Sequence, residues 1–302
     1  MSVLMRQAQA PRAVAARQPA GLRRFAVPGS RRWTPSFWLG SSLVALWLIT
    51  AALAPALAPF PPNQVLAGPA LAPPDSVHPF GTDLLGRDLL SRVLYGGRVA
   101  VAMAAGGVTL ALVLGTPLGL LAGYNGRRLD HLLSRVMEVW MAFPGLLLAI
   151  IIVARLGPSL VNTVLALGVV GAPGYFRLVR NMTLSARHAP HVEAARALGA
   201  RNRRILLRHI APSGLPALIV LATARMGALI LAGGALSFIG LGAQPPLPEW
   251  GALLASGRDA MAIAPWLAIL PGVCITLTVA GLNLMGDGLR DAVAGQGNRS
   301  VV

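Results

Sequence analysis

Six long apolar runs alternate with polar segments along the chain, at about residues 37–58, 99–123, 133–154, 160–176, 215–241 and 261–285. Each, at about 17 residues or more, is long enough to cross a bilayer as an α-helix. The pattern therefore predicts an all-α membrane protein with six transmembrane helices. The first run stops at Pro59-Phe60-Pro61-Pro62, a strong breaker. The second carries Gly115, Gly119 and Gly123 at every fourth position, a stripe that lets a neighbouring helix approach closely, and Pro117, a candidate kink. Near the ends of the third, Arg135, Glu138 and Arg155 can reach the interface. The fourth has Pro173 near its exit, and the fifth contains Arg225.

Between the fourth and fifth runs lies a basic polar island, His191 to Pro212, HVEAARALGARNRRILLRHIAP. Val192 to Gly199 is rich in helix formers and ends at a glycine, a natural helix stop. Val192, Ala195 and Leu198 fall at helical spacing on one apolar edge, with Glu193, Arg196 and Ala197 off it. A short helix at the membrane surface is expected there, then a second basic helical run from Asn202 to Ile210.

Composition supports the membrane assignment. Of 302 residues 55% are hydrophobic and only 12% charged, against about 25% charged in a soluble domain. The formal charge of +16 could suggest nucleic acid, but the basic residues sit between apolar runs and the 16 aromatics lie mostly in or beside them. Topology explains the charge better, and no nucleic-acid partner is expected. With six spans both termini share one side. Placed inside, the tail to residue 36 holds seven Arg, residues 124–136 three, residues 177–212 eight and the C-terminus two, which makes 20; the outside segments hold five. This bias puts the termini and the island in the cytoplasm.

All 26 basic residues are Arg. A phosphate-binding loop G-x-x-x-x-G-K-[ST] is impossible without its lysine, so any ATPase must be another chain. The one cysteine, Cys274, lies in an apolar run and has no partner for an intrachain disulfide. Four regions result: a disordered basic cytoplasmic tail at 1–36; a first span and extracytoplasmic loop at 37–98; a transmembrane core at 99–290; and a cytoplasmic tail at 291–302. The first fits a cleaved secretory signal poorly, its basic region being too long; an Arg-rich targeting peptide is the rival reading.

Glu193-Ala194-Ala195-x-x-x-Gly199, ending in His209-Ile210-Ala211-Pro212, resembles the EAA loop of permease subunits from binding-protein-dependent ABC importers. Ala211 departs from the pattern, which usually has Leu there. The segments HPFGTDLLGRDLLSRVLYGGR (78–98), APGYFRLVRN (172–181), LSFIGLGAQPPLPEWG (236–251) and NLMGDGLRDA (283–292) resemble the dipeptide/oligopeptide/nickel permease family, the C-type subunit of the pair. The resemblance covers about residues 37 to 292. It implies an inner-membrane permease paired with a homologous second permease, two ATPase subunits and an extracytoplasmic solute-binding protein. No cofactor would be bound by this chain; ATP and Mg would sit on the ATPase subunits. Glu193, Ala194, Ala195, Leu198, Gly199 and Pro212 would form the ATPase-coupling element, and transport would proceed by alternating access. Peptides are the implied substrate, with nickel or its chelate, or glutathione-like solutes, as alternatives. The position of Gly233 is often acidic in the family, which makes it, with Arg225, a candidate for the translocation path.

Some residues admit two readings. Asp83, Arg87, Asp88 and Arg92 lie on a helix-prone run and could pair as Asp83–Arg87 and Asp88–Arg92, either as an extracytoplasmic gate or binding-protein contact or as a salt-bridged helix that only fixes its own position. Arg225 could face a cavity, or snorkel from the first turns of an earlier-starting span. His188 and His191, three apart with Pro190 between and no third ligand near, make a poor metal site. Asp287 and Asp291, beside Arg290, suit a solvated helix end. An intramembrane enzyme would need facing ionisable groups within the spans, which offer Arg225 and almost nothing else. A channel would have no use for the EAA spacing.

Overall fold

A computed structural model describes residues 33–297. Of the expected basic tail at 1–36, residues 1–32 lie outside them. Helix α1 (Pro35–Ala52) starts two residues earlier than the hydropathy pattern suggests. Thr34 caps it by accepting from the Phe37 N–H at 3.3 Å, and Pro35 occupies the first turn, where its missing N–H costs nothing. A short helix, α2 (Ala54–Leu57), follows. Then α3 (Leu89–Asn125) runs 37 residues with Pro117 inside it.

The third apolar run is not one straight span. It forms α4 (Arg127–Met141) and α5 (Gly145–Leu156), which meet at an angle of 86°. Pro144 is the cause: it has no N–H to continue the helix, and it drives Phe143 out of the helical region. At 12 residues α5 is about 18 Å long, too short for a hydrocarbon core of about 30 Å. The fourth run becomes α6 (Leu160–Ala186), ten residues longer than its apolar stretch, with Pro173 inside. The island gives α7 (Pro190–Ala197) and α8 (Asn202–Ile205). A π turn (Leu206–Ile210) and a 3-10 turn (Ala211–Gly214) lead into α9 (Leu215–Phe238). The expected loop at 243–260 contains a helix, α10 (Trp250–Arg258). Finally α11 (Trp266–Gly297) continues through most of the expected C-terminal tail.

Five helical segments are long and apolar enough to cross a membrane singly, and the bent pair α4/α5 makes a sixth. The only β pairing among the described residues is one isolated bridge, Thr82 with Asp88. The bundle core runs through α1, α3, α9, α10 and α11, with Trp47, Val93, Ile230, Trp250, Leu253 and Leu282 buried together. Trp250 closes it by donating from Nε1 to the Val93 carbonyl at 2.9 Å. A second cluster joins α5, α6 and α9 through Val153, Leu167 and Leu236.

The glycine stripe of α3 meets α6. A Cβ at Gly119 would stand 2.7 Å from the Phe176 carbonyl oxygen, and one at Gly123 would stand 2.6 Å from Thr183 Cβ. Gly115 is closed in the same way by the Ala172 carbonyl and Tyr175. The two backbones therefore touch along three turns, which only glycine permits.

Candidate coupling and translocation sites

At one end of the bundle α7 leaves α6 through Arg187-His188-Ala189. Pro190 opens it, Glu193 lies in its first turn and Arg196 in its last, so both charges complement the helix dipole. One side chain roots it: Val192, fully buried with Ile205 and Ile210 against Leu120 and Tyr124 at the end of α3. Glu193 and Ala194 face outward and Ala195 is half-buried. Leu198 does not share the edge of Val192 and Ala195. The helix ends at Ala197, Leu198 leaves the helical conformation at φ −80°, ψ 7°, and its side chain is 89% exposed.

Gly199 then reverses the chain at φ +79°. Nothing lies within 4 Å of where its Cβ would be, so the demand for glycine is conformational. The Gly199 and Ala200 N–H groups bond back to the carbonyls of Arg196 and Ala195, both at 3.0 Å, and finish the helix end. Pro212, exposed in the 3-10 turn, has no N–H for the carbonyl four residues earlier. This accounts for the π and 3-10 turns where the spacing predicted a plain helix to Ile210.

Polar contacts tie this end together, and sequence spacing gave no sign of them. Tyr124 donates to Asn202 Oδ1 at 2.8 Å, joining α3 to α8. Arg187 donates to the Gly123 carbonyl at 3.2 Å. Arg180 of α6 grips Asp130 of α4 through Nε and through Nη2, the latter at 2.7 Å.

At the opposite end the loop between α2 and α3 folds on itself. Asp83 pairs with Arg87 at 2.7 Å, as the spacing suggests, but the segment is a turn rather than a helix. Asp88 does not pair with Arg92. It caps α3 by accepting from the Ser91 N–H at 2.8 Å, and its other oxygen lies 2.9 Å from His78 Nδ1. Arg92 turns back instead, to the Pro62 carbonyl at 2.9 Å and toward Asp83 at 3.6 Å. A helical i, i+4 pairing required a helix starting before residue 83; it starts at Leu89. Asp83, Asp88 and Arg92 are buried and hold the loop, while Val65, Leu66, Val77, Leu84 and Leu85 are among its exposed side chains.

Within the bundle Arg225 is the eleventh residue of α9, far from that helix's first turn. Its guanidinium lies over Gly174 of α6, where a Cβ would stand 3.3 Å from Nη2. It lines a cavity of about 190 Å³ with Tyr175, Gly145 and Leu146, and it pairs with no carboxylate among the described residues. Gly233 is buried against Met103 of α3 and does not line the cavity beside Arg225.

Comparison with known proteins agrees with this architecture. Residues 115–295 match the family described as binding-protein-dependent transport system inner membrane component. The dipeptide transport system permease protein DppC of Alkalihalophilus pseudofirmus is 44% identical over 255 residues, 84% of each chain. The di/tripeptide permease DppC of Pseudomonas aeruginosa is 43% identical over 84% of this chain and 86% of its own. The glutathione permease GsiD of Pectobacterium atrosepticum is 46% identical over 73% of each. Among solved structures, an inward-facing conformation of the MetNI methionine ABC transporter shares the fold at a TM-score of 0.55 and 22% identity, covering 68% of this chain and 97% of that one. The chain belongs to the binding-protein-dependent transport system inner membrane component family, and it is a multi-pass inner-membrane permease subunit of an ABC importer.

Proposed function

We propose that this permease imports di- or oligopeptides, and that α7 with the turn at Gly199 is the surface on which an ATPase subunit acts. The carrying observation is the division of labour in α7. One face is anchored by Val192 in a buried cluster, and the other presents Glu193, Ala194 and Leu198 with no partner in the described chain. A leucine left 89% exposed on a polar surface suits a protein contact. Peptide cargo is supported by relatives named for dipeptide and di/tripeptide transport. A glutathione-like solute is the second reading, supported by the 46% identical relative named for glutathione transport.

In this reading the transporter comprises this chain, a homologous second permease, two ATPase subunits and an extracytoplasmic binding protein. Both termini and α7 are cytoplasmic, in line with the arginine distribution. ATP and Mg bind on the ATPase subunits; this chain has no lysine for a Walker A loop and binds no cofactor. Closure of the ATPase pair moves α7, and the helices behind it switch between inward- and outward-facing arrangements as rigid bodies.

Two measurements test the reading. The purified permease pair should show ATPase activity only when the ATPase chains co-purify, and proteoliposomes with binding protein should then accumulate labelled dipeptide. A topology reporter fused at Arg201 should read as cytoplasmic; a periplasmic signal would refute the coupling role of α7.

A further inference from the structure

The cavity beside Arg225 is walled by α3, α5, α6 and α9 through Ala111, Gly145, Leu167, Tyr175, Arg225 and Leu229. No acidic residue lines it. Three donors converge on this otherwise apolar space. The first is the guanidinium of Arg225, without a carboxylate partner among the described residues. The second is the hydroxyl of Tyr175, a residue only 1% exposed, whose oxygen has no hydrogen-bond partner. A buried phenol left so loses the bonds it would have in water, which marks it as waiting for an acceptor.

The third is the N-terminus of α5. The 86° bend at Pro144 starts a new helix at Gly145, and Gly145 and Leu146 form part of the cavity wall. The first-turn N–H groups have no intrahelical acceptor, and no side chain caps them. A Cβ at Gly145 would stand 3.1 Å from Val170, the eleventh of the 27 residues of α6, so the N-terminus of α5 lies part-way along that membrane-spanning helix rather than at its end. A half-helix that ends at mid-membrane aims its positive dipole end at whatever occupies the cavity.

We propose that Arg225, Tyr175 and the N-terminus of α5 form a carboxylate-binding subsite on the translocation path, which holds the anionic end of the substrate. The guanidinium offers a planar fork that matches a carboxylate, the phenol donates one further bond, and the helix end supplies partial positive charge. A space of about 190 Å³ admits the carboxylate end of a peptide. Gly174 leaves room for the guanidinium to cross from α9 to α6. This inference rests on the peptide-import reading and adds to it a preference for substrates with a free carboxylate.

The test uses the assembled transporter in nanodiscs without binding protein, so that the binding protein's own selectivity plays no part. Thermal midpoints are recorded against alanylalanine, its C-terminal amide and N-acetylalanine. The two free acids should stabilise the wild type saturably, with apparent affinity roughly tenfold or more above that of the amide. Arg225→Gln should abolish the difference. Arg225→Lys should retain part of it, and Tyr175→Phe should weaken the acids several-fold without touching the amide. Unliganded midpoints show whether each variant folds. Equal effects of acid and amide on the wild type, no effect of either acid, or an acid preference that survives Arg225→Gln each overturn the proposal. So does an Arg225-dependent shift produced only by phosphatidylglycerol, which would make the occupant a lipid headgroup. Uptake of labelled alanylalanine with binding protein present is measured in parallel. Its failure alone, with N-acetylalanine still binding through Arg225, would refute peptide import and leave the subsite standing.

Discussion

Ile205→Ala should detach α7 without disturbing the bundle. Ile205 is fully buried and packs with Val192 and Ile210 against Leu120 and Tyr124. Replacement by alanine removes three carbons, worth about 2.4 kcal/mol at about 0.8 kcal/mol per methylene. The remaining void raises the loss to about 3–4 kcal/mol. The cluster has three fully or almost fully buried apolar members, and Val192 is the only one α7 supplies, so most of the loss should fall on the docking of α7. A loss of about 3 kcal/mol increases transient opening roughly a hundredfold. Hydrogen exchange by mass spectrometry on the permease in nanodiscs reads this directly. Amides of residues 191–199 should exchange about a hundred times faster, while those of α1 and α11 should be unchanged. Leu198→Ala is the complementary case. With its side chain outward, it should leave exchange at 191–199 unaltered and yet lower co-purification of the ATPase chains. Unchanged exchange in Ile205→Ala would refute the anchoring role of the cluster. Faster exchange in Leu198→Ala would show that Leu198 serves the fold rather than the partner.

Gly119→Ala should lower the thermal midpoint in detergent, with a loss of about 1–3 kcal/mol, because its Cβ would meet the Phe176 carbonyl at 2.7 Å and Val179 Cβ at 2.9 Å. Gly272→Ala, whose nearest neighbour would be Leu254 Cδ1 at 3.6 Å, should be close to neutral. Gly199→Asn should retain transport and Gly199→Val should lose it, since the site has space but a φ of +79°; the strain is about 1–2 kcal/mol for a residue with a Cβ and greater for a β-branched one. Equal transport by both would remove the conformational explanation. Burial pushes the Glu249 carboxyl above the usual glutamate range despite its bonds from the first turn of α10. The unfolded chain therefore gives up this proton first, so stability should fall as pH rises from about 4 through the raised value, and the fall should be shallower in Glu249→Gln. Identical pH profiles of the thermal midpoint would exclude Glu249 as the source.

The sequence was most informative where a local rule acts alone. Apolar runs located the helices, the spacing of Gly115, Gly119 and Gly123 identified a contact face, and Gly199 marked the reversal after α7. Failures arose where one rule overrode another. Hydropathy summed over 133–154 passed across Pro144, whose effect is on backbone geometry and not on polarity. Charge spacing at 83–92 assumed a helix, whereas Asp88 serves better as the cap of a helix that begins at Leu89. Leu198 has the periodicity of Val192 and Ala195, but periodicity ceases to matter one residue past the end of a helix. Pairs such as Arg180 with Asp130, and Tyr124 with Asn202, lie 50 and 78 residues apart and become visible only once the helices are placed. The subsite at Arg225 is of the same kind: the arginine was legible, but the phenol and the helix end that complete it were not.

Residues Asn202–Phe238 form one 37-residue helical segment, roughly 55 Å long. Its first residues stand beside α7, and Arg225 stands some 35 Å along it. This is a lever. A lateral push of about 5 Å at one tip of a shaft of this length turns it by about 5° if it pivots at the far tip, and carries the guanidinium sideways by less than half the push. The π and 3-10 turns at 206–214 put compliance into the handle rather than into the shaft. Under the coupling role proposed for α7, any residue that stiffens those turns should raise the fraction of the stroke that reaches the cavity and so change transport per ATP.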